Sequence, residues 1–182
     1  MTTDALPDAE AALATLAERM QGAVAHDAAL VGIYSGGAWV AERLAARLPG
    51  VHPLGFIDVS YYRDDYDIAG LKPNARRTTL PFDVAGATIV LVDDVLYTGR
   101  SVRAAINELF DFGRPDRIEL AVLVDRGGRE LPIEPTYAGV RLAVARDLSI
   151  MLSRDDARGT LSLGVGPARS RDRAEPRARR AP

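Results

Sequence analysis

Apolar residues along this chain recur with two alternating periods. Between Asp8 and about His26 they stand at Leu13, Leu16, Met20 and Val24, spaced by three or four, which predicts a helix with one buried face. Leu30 to Tyr34 is a short apolar run ending in Ser35-Gly36-Gly37, a strand followed by a tight turn. Ala38 to Leu48 returns to helical spacing at Val40, Leu44 and Leu48, and Pro49-Gly50 stops it. Leu54 to Ser60 reads as a strand, after which Tyr61 to Pro81 loses periodicity and fills with charge, Gly and Pro. Thr88 to Val92 is a fully apolar strand. Ser101 to about Phe112 is a helix carrying Val102, Ile106, Leu109 and Phe110, with Gly113 where a helix stop belongs. Ile118 to Val124 is another buried strand closed by the Asp125-Arg126-Gly127-Gly128 turn, and Val140–Val144 and Ile150–Leu152 are shorter, later strands. Helices alternating with continuous apolar strands predict an α/β fold, a mostly parallel sheet covered on both faces.

A chain of 182 residues with 47% hydrophobic content holds one sizeable core, so a single domain is expected over residues 1–166. The absence of cysteine excludes disulfides, thiolate metal sites and a cysteine nucleophile. No apolar run approaches the roughly 20 residues of a membrane span. The acidic start Met1-Thr2-Thr3-Asp4 lacks the basic and apolar regions of a signal peptide, so the cytoplasm is the expected compartment and no membrane partner is expected. The net charge of −2 is unevenly spread. From Pro167 to Pro182 six arginines face Asp172 and Glu175, a net of +4, which leaves −6 for the rest. That Arg/Pro-rich stretch has no apolar residue larger than alanine and is expected to be a disordered, solvated tail.

Ligands of open parallel sheets bind beyond the carboxyl ends of the strands. Three such ends carry unusual sequence: Ser35-Gly36-Gly37, Asp93 to Ser101, and Asp125 to Gly128. At the second, an apolar strand runs into two adjacent carboxylates, Asp93 and Asp94, which call for hydroxyl, cation or solvent partners. Val95-Leu96-Tyr97-Thr98-Gly99-Arg100-Ser101 then opens a helix whose first amides and positive dipole suit a phosphate. Thr98 and Ser101 add hydroxyls, and Gly99 allows close backbone approach. Acceptors for vicinal hydroxyls beside a phosphate cradle match the two ends of a ribose 5-phosphate. Neither the Gly-x-x-x-x-Gly-Lys-Ser/Thr nor the Gly-x-Gly-x-x-Gly pattern is present.

The string Ile89 to Ser101 resembles the signature of type I phosphoribosyltransferases. Ile57 to Asp65, Val92 to Ser101, Gly113-Arg114-Pro115 and Leu123 to Ile133 further resemble the bacterial pyrimidine-operon regulators that double as uracil phosphoribosyltransferases, a likeness covering roughly residues 8–155. The resemblance implies a type I phosphoribosyltransferase fold with a small hood, and transfer of a phosphoribosyl group from 5-phosphoribosyl-1-pyrophosphate (PRPP) to uracil, giving UMP. It implies that Asp93 and Asp94 hold the ribose hydroxyls, directly or through Mg2+ and water, and that residues from Val95 to Ser101 hold the 5-phosphate. Ser35, Gly36 and Gly37 become the pyrophosphate loop; this family often carries a basic residue there, and this chain does not. Tyr61 to Pro81 becomes a catalytic loop in which Arg76 and Arg77 are the candidate cations toward pyrophosphate, and Asp125, Arg126 and Gly127 line the base pocket. UMP-dependent binding of pyrimidine leader mRNA and a homodimer or higher homo-oligomer are implied as well. Neither His26 nor His52 falls in a strand-end motif, and both read as surface or packing residues.

Overall fold

A computed structural model describes residues 6–59 and 77–168. The chain runs through helix α1 (Ala9–Met20), strand β1 (Ala29–Ile33), helix α2 (Gly36–Ala45), strands β2 (Leu54–Ile57) and β3 (Thr88–Leu96), and helix α3 (Arg100–Phe112). Strands β4 (Arg117–Asp125), β5 (Tyr137–Arg141), β6 (Leu148–Arg154) and β7 (Leu161–Pro167) follow. Five strands form one parallel sheet in the order β2-β1-β3-β4-β5, with Val31 opposite Leu91 and Leu91 opposite Leu120. Strands β6 and β7 pair antiparallel as a separate two-stranded ribbon.

The continuous apolar runs are explained by burial on both faces. On one face Leu30, Val90, Val92 and Leu123 pack with Leu13, Leu16 and Met20 of α1 and Leu44 of α2, and Ile150 and Leu161 bring the ribbon onto the same layer. On the other, Val31, Ile89, Leu91 and Val122 pack with Val102, Ala105 and Leu109 of α3. Leu13 and Leu16 are fully buried, and each contributes about 2 kcal/mol by area burial.

Four local expectations are corrected. The first helix ends at Met20 rather than near His26, because the chain turns at Gly22 in the left-handed region (φ 76°); Val24 still packs on the core from beyond the helix. Gly36 and Gly37 are not a turn but the first two residues of α2. Strand β3 continues through Asp93 and Asp94 to Leu96, so the acids lie within a strand and not after it. A seventh strand, β7, reaches Pro167, and Ala168 is buried with its amide bonded to the carbonyl of Asp147, so the ordered body extends past 166. Of the expected tail, residues 169–182 lie outside the described residues.

The strand order places the site. Chain connections leave β1 toward β2 on one side, and β3, β4 and β5 follow on the other. The carboxyl ends of β1 and β3 therefore flank the topological switch point, where open α/β sheets hold their ligands.

Candidate active site

Two helices begin at that crevice. Helix α2 starts two residues after β1, across a cis Tyr34–Ser35 peptide, and its N-cap Ser35 makes no side-chain cap bond. Helix α3 starts after the left-handed Gly99 (φ 89°), again with no side-chain cap bond, and neither helix has an acid in its first turn. Helix α1, away from the crevice, is capped in the ordinary way: Asp8 accepts the Ala11 amide at 2.8 Å and Glu10 lies in the first turn. The two helix starts facing the crevice thus lack a capping acid of their own, and their partial positive charge suits an anion.

Small residues bring α2 onto β3. A Cβ at Gly36 would land on the Asp94 carboxylate, and one at Gly37 would strike the Val92 carbonyl and the Asp93 backbone. Asp94 accordingly stands against the opening turn of α2. Asp93, only 7% exposed, accepts the Asp94 amide at 3.0 Å. Successive strand residues point to opposite faces. Here that alternation is interrupted at the acids: Val90 and Val92 pack on the α2 side and Leu91 on the α3 side, but beyond them Val95 packs on the α2 side and Leu96 on the α3 side.

The loop from Leu96 to Gly99 is held from behind by the segment after β4. The Arg126 amide donates to the Leu96 carbonyl (3.1 Å), Arg129 Nη1 to the Tyr97 carbonyl (3.1 Å), and the Glu130 and Leu131 amides to the Thr98 carbonyl (3.0 and 3.2 Å). A trans peptide points its N–H opposite to its C=O, so the amides of Tyr97, Thr98 and Gly99 face away from that segment. Thr98 Oγ1 accepts the Arg100 amide at 3.3 Å. Half-exposed Arg100 pairs with Glu130 at 2.9 Å, while Ser101 opens the first turn of α3.

At the end of β4 the expected base-pocket side chains are engaged internally. Asp125 takes Arg129 Nη2 at 2.6 Å and the Gly127 amide at 3.1 Å, and lies 3.6 Å from Arg141. The Arg126 guanidinium stacks 4.0 Å from the Tyr97 ring centroid and donates to the Leu148 and Ala145 carbonyls, so it is a wall of the protein and not a side chain offered to a base. Of this trio only Gly127, at φ 69°, is exposed, and its amide and carbonyl are engaged by Asp125 and Arg129. The candidate cation Arg76 and neighbouring Lys72 lie outside the described residues; Arg77 is exposed beside the strand bridge of Thr79 with Phe56. His52 bonds the Ala28 and Pro49 carbonyls and His26 is exposed, in keeping with structural roles. Arg129 was not singled out in sequence, although it stands within the Leu123–Ile133 string that carries the resemblance, four residues after a strand-end acid.

Comparison with known proteins decides the family. Residues 3–145 match the phosphoribosyl transferase domain. The protein called bifunctional protein PyrR in Ralstonia nicotianae is 55% identical over 79% of this chain and 82% of its own length. The chain belongs to the PyrR family of phosphoribosyltransferases. Its PyrR relatives include those of Nitrosococcus oceani, 48% identical over 78% of this chain and 81% of that protein, and Pseudomonas aeruginosa, 52% identical over 67% and 72%. Among solved structures, a hypoxanthine-guanine phosphoribosyltransferase of Bacillus anthracis superposes with a TM-score of 0.59 at 16% identity, covering 78% of this chain and 85% of that one. At that identity the likeness is one of fold: the five-stranded parallel sheet with its helices is the phosphoribosyltransferase fold. No helix among the described residues is long and apolar enough to cross a membrane.

Proposed function

We propose that this PyrR-family chain transfers the phosphoribosyl group of PRPP to N1 of uracil, forming UMP and pyrophosphate. The carrying observation is the crevice at the switch point, where two helices start beside Asp93 and Asp94 with no acid in their first turns. The separation of roles follows from that layout. Amides at the start of α2 receive the pyrophosphate, assisted by Arg77 and Arg76; the loop from Val95 to Ser101, through the amides of Tyr97, Thr98 and Gly99, receives the 5-phosphate; Asp93 and Asp94 take the ribose hydroxyls. Main chain in the exposed turn around Gly127 reads the edge of the uracil ring. Anchoring both anionic ends fixes C1 of the sugar before uracil N1, and this orientation supplies much of the rate. The dipole of α2 stabilises charge gathering on the departing pyrophosphate.

The residues fit Mg2+ brought in with the substrate. Among the described residues no cluster of three His, Cys, Asp or Glu could form a metal cage. Asp94 beside the α2 start instead offers one hard carboxylate next to the pyrophosphate position, the donor set of an ion bound mainly by phosphate oxygens and water. When bound, the ion would neutralise leaving-group charge.

Purified protein with uracil, PRPP and Mg2+ should form UMP; binding of PRPP without UMP formation refutes the reading. The second role is UMP-dependent binding of pyrimidine leader mRNA, supported by relatives that are called bifunctional. A gel shift on the cognate leader that does not respond to UMP rejects it. A cytoplasmic homodimer or larger homo-oligomer completes the proposal, and sedimentation velocity tests the assembly.

A further inference from the structure

A phosphate cradle built from backbone works only if its carbonyls are turned away, because a carbonyl oxygen presented to a dianion repels it. In this chain the three carbonyls of Leu96, Tyr97 and Thr98 all point back into the segment after β4. Two of the three have a backbone amide as their principal partner. The Tyr97 carbonyl is different, since its partner is a side chain, Arg129, with Nη1 at 3.1 Å. The same nitrogen lies 3.5 Å from the Leu96 carbonyl and 3.3 Å from that of Gly127, while Nε donates to the Ile133 carbonyl at 2.9 Å and Nη2 to Asp125 at 2.6 Å. The Arg129 side chain is 14% exposed and the Asp125 side chain 9%.

We infer that Arg129 is a positioning residue for the 5-phosphate: its guanidinium holds the central peptide of the loop so that the Thr98 amide faces the crevice, and Asp125 holds the guanidinium. This rests on the reading of residues 95–101 as the phosphate loop. A further consequence follows from the geometry: the positive charge sits directly behind the loop, adding to the dipole of α3 without touching the ligand. A planar fork is required for this many partners, and a lysine ammonium cannot reach them together.

The test uses the full chain as wild type, Arg129→Lys, Arg129→Ala and the charge-balanced double variant Asp125→Asn with Arg129→Met, which keeps the fold testable if the single changes melt. Expected is a rise of about ten- to a hundredfold in KM for PRPP, with KM for uracil within about twofold of wild type. Methylguanidinium added to Arg129→Ala should bring KM for PRPP back toward the wild-type value, which a purely structural role would not produce. Folded variants with wild-type KM for PRPP, or with both KM values raised alike, overturn the inference. The underlying loop reading has its own check in the wild-type protein. Amide resonances of Tyr97, Thr98 and Gly99 must move on titration with ribose 5-phosphate. If they stay still, the loop reading fails and takes the inference with it. If they move equally in wild type and Arg129→Lys, the loop reading survives and the role of Arg129 does not.

Discussion

Replacing Gly36 with alanine separates function from folding at the crevice. The new methyl carbon would lie 2.9 Å from Asp94 Cβ and closer still to its carboxylate. Carbon atoms rest at about 3.5–4.0 Å. Either the carboxylate swings away or α2 backs off by about an ångström. Stability should change little: overpacking costs about 1–3 kcal/mol, offset in part by the better helix propensity of alanine, worth up to about 1 kcal/mol. Activity should change greatly, because a shift of about 1 Å in a reacting constellation can cost about a hundredfold, or roughly 2.7 kcal/mol of transition-state stabilisation. UMP formation gives kcat/KM, and a thermal melt of the same sample gives the stability. The neighbouring Gly37→Ala is the contrast, since its methyl meets backbone at Val92 and Asp93 that cannot rotate aside, and it should lower the melting temperature strongly. A Gly36→Ala protein with wild-type kcat/KM would refute the placement of Asp94 against α2 as part of the working site.

Three more outcomes are expected. Gly99→Ala forces a side chain into the left-handed region (φ 89°) against Ile133 at 3.3 Å and should weaken UMP binding by about tenfold or more in a calorimetric titration. Buried Tyr137 donates to Glu119 at 2.8 Å, and burial first, then Glu119, push its hydroxyl up to about 12. Between pH 10 and about 12 the unfolded chain has lost this proton while the folded chain keeps it. Stability therefore falls as pH rises through that window, by about 2–3 kcal/mol in total, and Tyr137→Phe should flatten the fall seen in urea midpoints. Burial raises the Glu10 carboxyl, but the Leu161 amide, Arg43 and Arg47 outweigh it and hold the group below its ordinary 4.5. Its contribution is present above that value and is lost as pH falls through the folded one, so Glu10→Gln should cost about 1 kcal/mol at pH 7 and nothing once the carboxyl is protonated, by chemical denaturation at both pH values.

The strands were legible because burial on both faces writes itself as unbroken apolar runs, and Leu30, Val90 and Leu123 were all placed by that alone. The loop from Val95 to Ser101 was legible because a phosphate cradle needs glycine and hydroxyls at a strand-to-helix junction. What sequence could not carry was direction. Asp93 and Asp94 look like a strand end, yet β3 runs on to Leu96, and Asp94 stands against Gly36 of α2, a helix whose approach no local pattern announces. Gly36-Gly37 read as a turn because glycine is the ordinary turn residue; here it serves close packing of a helix on β3. Asp125 and Arg126 looked offered to a ligand because their partners, Arg129, Ala145 and Leu148, come from later segments whose approach no local pattern announces. Strand β7 was missed because Leu161, Leu163 and Val165 alternate with serine and glycine over a span that ends in the arginine-rich stretch.

Glu10 reaches across 151 positions of sequence to accept the Leu161 amide at 3.0 Å while its other oxygen takes Arg43 at 2.6 Å. The first helix and the last described strand thus share one seam, in which this carboxylate adds to the burial of Leu161 in the core beside α1 and to the Arg43 bond to the Gly159 carbonyl. Trimming back from either side would open that same seam. Conversely, a circular permutant that joins the two sides with a short linker and opens the chain at an exposed turn such as Asp155 to Gly159 would leave the crevice untouched, since every residue proposed to meet the nucleotide lies between those two fastenings.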